Sequence, residues 1–251
     1  MWNLSRPGRS LTLLKWLAIL LVPPASALCG SSVYEVDWLD AVRKSQYEVS
    51  LLASLEPQSL HRDGERATRS GNVLTVWTGP KRAQHFVDGV GCSAEEPSIR
   101  KACVRFLYLG YSVRSRMYYV YEAHYEGGFW LLLNRNNGRA MRFDGFPEVS
   151  PNGEAILVLR NNDQDGPSGV EIWGADGADF VKQYSGIPIN HPESGASRYI
   201  ALKKWLSESS VQLTIEQFVP GKKLMREKCA LLQRHGSSWV PVDKAGCDNE
   251  P

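Results

Sequence analysis

Between Val73 and Val242 the chain is built from short apolar or alternating segments rich in Val, Ile, Tyr, Phe and Trp, separated by clusters of Gly, Pro, Asn and Asp. The clearest are VLTVW (73–77), VRFLYLGY (104–111), MYYVYEAHY (117–125), FWLLLNR (129–135), AILVLR (155–160), VEIWG (170–174) and VQLTIEQF (211–218). β-Branched and aromatic residues in runs this short fit a pleated surface, so the segments predict strands. Asn136-Asn137-Gly138, Pro151-Asn152-Gly153, Ala175-Asp176-Gly177 and Pro220-Gly221-Lys222 set residues tolerant of positive φ between them, as hairpin turns require. The predicted fold class is mainly β, made of antiparallel hairpin repeats over residues 73–251.

The N-terminal part has a different grammar. Arg6 and Arg9 precede an apolar run from Trp16 to Val22, followed by Pro23-Pro24 and Ala25-Ser26-Ala27. This is the pattern of a Sec-type signal peptide over residues 1–27, cut after Ala27. The apolar run is too short to span a bilayer as a stable helix. Export places the protein in a periplasm or outside the cell, with no stable membrane insertion after cleavage. Cleavage removes Arg6, Arg9 and Lys15, so 29 − 3 = 26 basic side chains remain against 27 acidic ones, a net charge of −1. That balance gives no polybasic surface for nucleic acid.

In residues 28–72, the apolar positions from Val33 to Leu55 predict one amphipathic helix ending before Pro57. The polar stretch 57–72 reads as an exposed loop.

Five cysteines follow the signal, none in metal-type spacing. In an oxidising compartment the pairs least costly to close are Cys92–Cys103 and Cys229–Cys247. Cys29 is left over. Its position after the signal suggests lipid attachment, but Leu28 stands where that pattern wants a small residue. A Cys29–Cys247 link would instead bring the two ends of the chain together.

Three stretches share one hairpin pattern: Ser112 to Phe143, Ser150 to Tyr184 and Trp205 to Val240. The segment from Phe146 to Leu159, with its Ser150-Pro-Asn-Gly153 turn before an apolar strand, resembles bacterial β-propeller repeats of the TolB-like or WD40-like kind. Gly169-Val-Glu-Ile-Trp-Gly174 resembles the third strand of such a blade. Asn152 stands where Asp is usual, and Gly174 replaces another usual Asp. The resemblance is good over 146–174 and weaker on either side. It implies a propeller-like or partial propeller domain, with a β-sandwich of the same hairpins as the alternative.

No local motif specifies catalysis. The histidines His61, His85, His124, His191 and His235 stand singly, and there is no nucleophile elbow, P-loop or dinucleotide-binding glycine run. Asn161, Asp163 and Asp165 alternate before Gly166 as in a calcium-binding loop, but Ile172 occupies the position of the closing acidic ligand. Calcium is thus an alternative to no cofactor. The densest aromatic stretch, Tyr108 to Trp130, offers Tyr118 and Tyr125, with Arg114 and Arg116 nearby, as a protein-binding patch. The resulting expectation is an exported, non-catalytic binding or scaffolding protein whose partner is another envelope or extracellular protein. The alternative is a secreted hydrolase assembled from dispersed residues such as Asp144, Asp163 and His191.

Overall fold

The computed structural model describes residues 31–45, 48–89, 103–125, 127–160, 169–177, 179–187, 197–218 and 225–242. The signal segment, Cys29, Cys92, Cys247, His191, the Pro220-Gly221-Lys222 turn and the calcium candidates Asn161, Asp163 and Asp165 lie outside these residues. Two helices, α1 (Ser31–Ser45) and α2 (Val49–Asp63), precede the strands. Strands β1 (Ala67–Ser70), β2 (Val73–Gly79) and β3 (Arg82–Val87) form a first sheet. The second contains β4 (Arg105–Ser112), β5 (Met117–His124), β6 (Gly127–Asn134) and β7 (Ala140–Phe143). The third contains β8 (Pro147–Val149), β9 (Ala155–Arg160), β10 (Gly169–Asp176) and β11 (Asp179–Gly186). The fourth contains β12 (Ser197–Ser207), β13 (Ser210–Phe218), β14 (Met225–His235) and β15 (Ser238–Val242). Every strand pairs antiparallel with its sequence neighbour inside its sheet, so each sheet is a simple meander. The mainly β, hairpin-built class is as the sequence predicts.

The turn chemistry is also as expected where it is described. At Ser150-Pro-Asn-Gly, the Ser150 hydroxyl donates to Asn152 Oδ1 (2.8 Å) and accepts from the Ala155 amide (2.9 Å). Gly153 closes the turn at φ +78°, and its amide donates to the Ser150 carbonyl (2.9 Å). A residue with a Cβ is strained at that angle.

Strand alternation explains how the sheets pack. On β5, Tyr118 and Val120 join Leu74 and Val76 of the first sheet in one core cluster. Met117, Tyr119 and Tyr121 face the other way, joining Ile156 and Val158 of β9. From the opposite face of β9, Ala155 and Leu157 pack with Ile200, Val211, Leu213 and Ile215 of the fourth sheet. The second and third sheets are therefore buried on both faces, which is why MYYVYE and AILVLR read as continuous apolar runs rather than alternating ones. Burying each Leu, Ile or Val on these faces contributes roughly 1.5–3 kcal/mol. Polar ties follow the same order: Tyr118 Oη donates to the Trp77 carbonyl (2.6 Å), Arg139 pairs with Asp179, and Trp239 Nε1 donates to Gln183 Oε1 (3.1 Å).

Two expectations fail at the N-terminal end. The single helix ending before Pro57 is two helices, and α2 runs through Pro57. The polar stretch after Pro57 is not an exposed loop, because it completes α2, turns at Gly64–Arg66 and supplies β1. Pro57 lies on the exposed side of α2, while Leu52, Glu56, Ser59 and Asp63 form the buried side. Anchoring of that side against β4 outweighs the hydrogen bond that proline removes. The repeats also have one strand more than the three stretches suggested, since β4, β8 and β12 each precede a predicted hairpin set.

Candidate functional site

Strands β4, β8 and β12 are the first strands of their sheets and lie at the sheet edges. Their ends converge, with α1, on a cavity of about 300 Å³. Helix α1 supplies Leu39, Asp40 and Arg43, and the end of β4 with the following turn supplies Ser112 and Arg114. The third sheet supplies Glu148 and Val149, the fourth supplies Leu202 to Trp205, and Tyr119 and Phe146 close the apolar side.

Two adjacent lysines reach the same cavity because β12 is irregular. Leu202 pairs with Leu213 and Lys204 with Gln212, which leaves Lys203 as an inserted residue. In a regular strand neighbours point to opposite faces, whereas such a bulge re-aims them.

Arg43 organises the acidic side. Its Nε and Nη2 donate to the two oxygens of Glu148, the latter at 2.6 Å, and Nη1 donates to Asp40. Glu148 is buried, and that burial pushes its carboxyl above the ordinary range, against the opposing pull of Arg43. Across the whole lining, Arg43, Arg114, Lys203 and Lys204 stand against Asp40 and Glu148.

Helix α2 is held by the outer edge of β4, whose backbone groups are taken by side chains of α2 and of the first sheet. Asp88 accepts from the Phe106 amide (2.9 Å), Glu56 from the Tyr108 amide (2.9 Å), and Asp63 from the Tyr111 amide (3.0 Å). Ser59 donates to the Leu109 carbonyl (3.0 Å), and Arg69 donates to the Phe106 carbonyl. A register shift between Tyr108 and Gly110 adjusts the edge to the helix. Gly110, at φ +132°, leaves room there for the Arg62 guanidinium and the Trp38 ring. Unpaired edges invite further pairing, and here α2 closes the edge with its polar side. Asp63 also accepts from Tyr108 Oη (2.8 Å), and burial together with that carboxylate pushes the Tyr108 phenol up.

The proposed aromatic patch is not assembled. Tyr118 is 1% exposed and packs in the core between the first and second sheets, because its position on β5 faces Leu74 and Val76. Tyr125 is 51% exposed. Seven residues of extended chain separate them by about 23 Å. Arg116 is exposed in the β4–β5 turn, at φ +56°. Of the four residues, Arg114 alone lines the cavity. Asp144 is exposed between β7 and β8, and its suggested partners Asp163 and His191 lie outside the described residues. His124 Nε2 lies 2.8 Å from Glu122 Oε1, beside Arg142, which stacks 3.4 Å from the Phe129 ring centroid.

Comparison with protein-family models, curated proteins and solved structures finds no match. Among the described residues no three His, Cys, Asp or Glu side chains gather as a metal site would need, and no helix is long and apolar enough to cross a membrane.

Sequence reasoning missed Arg43, Glu148, Lys203, Lys204 and Trp205. Two signals point to all of these but Arg43. Glu148 is a charge inside the apolar Phe146–Val149 stretch, and Lys203-Lys204 interrupts the alternation of a strand between Leu202 and Trp205.

Proposed function

We propose that the protein is an exported, non-catalytic binding protein of the cell envelope or extracellular space. In this reading its four meander sheets are propeller-like blades, and its partner docks at the cavity beside α1. One observation carries the proposal: the first strands of three sheets meet at a single cavity whose lining joins cations to an aromatic wall. First strands that share one cavity fit a propeller-like arrangement, and the sheets pack in sequence order through three shared clusters. Binding sites on β scaffolds concentrate where loops and strand ends meet in this way.

The disulfide framework belongs to the same reading. It pairs Cys92 with Cys103 and Cys229 with Cys247, as loop closure in an oxidising compartment favours. The test combines N-terminal sequencing of the exported protein, expected to begin at Leu28, with binding-partner capture by the wild type and by R114Q/K203Q/K204Q. A partner held by the wild type and lost by the folded variant supports the reading. Equal capture by both removes the cavity as the docking site.

A further inference from the structure

We propose that the rim shared by the first two sheets is a docking surface for a bilayer rich in anionic phospholipid. The protein rests on the headgroups there, with no segment spanning the membrane. This surface is separate from the cavity reading, and no variant used below changes Arg114, Lys203 or Lys204.

Residues 64–66, 79–82, 113–116 and 135–139 hold seven Lys and Arg side chains against one acidic residue, Glu65. The fold brings these segments together. In the first sheet Ala67 pairs with Val76 and Gly79 with Arg82, so the Gly64–Arg66 turn and the β2–β3 turn lie at one end. In the second sheet Ser112 pairs with Met117 and Met117 with Asn134, so the β4–β5 and β6–β7 turns also share an end. The two ends are tied to each other. Arg82 Nη2 donates to the Asn136 carbonyl (2.7 Å), and the Arg66 and Arg135 guanidinium groups both lie over the Tyr111 ring, 4.6 and 5.5 Å from its centroid. Net charge near zero is an average over the chain, and strand pairing sorts the cations to this rim.

Two of the seven cations have other duties: Arg139 pairs with Asp179, and Arg114 lines the cavity. The proposal rests on the remaining five. Arg82 Nε donates to Thr78 Oγ1 (2.9 Å) and Arg135 Nη1 to Tyr111 Oη (3.3 Å), so neutral groups hold these guanidiniums in place without cancelling their charge. Lys81 and Arg116 are exposed in their turns.

The rim also exposes apolar groups among the cations. Val113 is 54% exposed in the β4–β5 turn, and Trp77, 40% exposed, pairs with Ala83 beside the β2–β3 turn. A soluble polyanion would use the cations and leave Val113 and Trp77 in water. A bilayer uses both, since anionic headgroups attract the cations while the headgroup–acyl boundary takes small apolar tips and an indole.

The test is flotation of the purified mature protein with vesicles of phosphatidylcholine alone and of equal parts phosphatidylcholine and phosphatidylglycerol, beside binding to immobilised heparin. The mixed vesicles are expected to carry the protein and the neutral ones to leave it behind. Salt that shortens the Debye length from about 10 Å to about 3 Å should weaken this binding by about tenfold or more. Each cation near an anionic surface contributes about fivefold, so K81Q/R116Q should bind about 25-fold more weakly with unchanged melting. If the double change alters melting, K81Q alone, with an expected loss of about fivefold, replaces it. Val113→Ser should weaken vesicle binding by about threefold or more and leave heparin binding unchanged. Equal flotation with both vesicle types, or wild-type binding by the folded Lys81 variants, overturns the proposal. Heparin binding without flotation, or vesicle binding indifferent to V113S, would mark a site for soluble polyanions and overturns it as well. Partner capture at the cavity is scored separately, so either reading can fail alone.

Discussion

Replacing Glu56 tests whether α2 is a functional closure of the β4 edge or only lies near it. Glu56 Oε1 accepts from the Tyr108 amide (2.9 Å) and from Arg69 Nε (3.1 Å) and Nη2 (2.8 Å), and the side chain is 5% exposed. Glu56→Ala leaves the Tyr108 amide buried without an acceptor, which costs ~1–3 kcal/mol. Arg69 keeps Asp88 and the Phe106 carbonyl, so the broken ion pair adds only about 1 kcal/mol, below the range for a fully stranded buried charge. The expected loss is therefore about 2–4 kcal/mol. Glu56→Gln retains an oxygen for the amide and should lose about 1 kcal/mol. Urea unfolding reads both values as shifts of the midpoint at constant slope, and hydrogen exchange at the Tyr108 amide should accelerate in E56A. A loss under about 0.5 kcal/mol in E56A would refute the closure argument. Equal losses in E56A and E56Q would show that charge, rather than the acceptor, holds the helix.

Three further outcomes follow. Tyr118→Ser should cost about 3–5 kcal/mol because it empties a core site, whereas Tyr125→Ser should stay within about 0.5 kcal/mol; thermal melts of the two single variants separate core from surface. Gly110→Ala should destabilise by about 3 kcal/mol or more, since its φ is strained for a side chain and a Cβ would fall against Arg62 and Trp38; an unaltered urea midpoint would contradict the close approach. Glu148 sits above its ordinary value of 4.5, so the folded state holds a proton there more tightly than the unfolded chain, and its contribution falls as pH rises from 4.5 through the raised value. The stability of Glu148→Gln relative to wild type should thus increase with pH over that window, and a relative stability that falls with pH in urea melts would reverse the assignment.

The sequence makes the strands legible because each central strand must satisfy two cores at once. AILVLR has no polar gap, and the structure buries Ile156 and Leu157 on opposite faces. The hairpin turns are equally legible, since positive φ at Gly138, Gly153 and Gly177 leaves a local residue signature. The helix pair was misread for a physical reason. The buried side of α2 contains Glu56, Ser59 and Asp63, whose value lies in the backbone groups of a strand some fifty positions away. Hydrophobic periodicity is blind to burial driven by hydrogen bonding. The site was partly legible through Arg114, but its assembly depends on which strand ends meet. Tyr118 failed as a surface residue because alternation alone sets the two faces apart without saying that both are covered.

The central claim is that this protein binds its partner at the cavity formed by α1 and the first strands of three sheets. Site-specific photo-crosslinking tests it directly, with a benzoylphenylalanine placed at Lys203 in one sample and at Tyr125 in another, both in cells expressing the protein. The account predicts a discrete crosslinked species from position 203, diminished by R114Q, and none of the same species from position 125. Crosslinking from position 125 alone, or from position 203 regardless of R114Q, would contradict it.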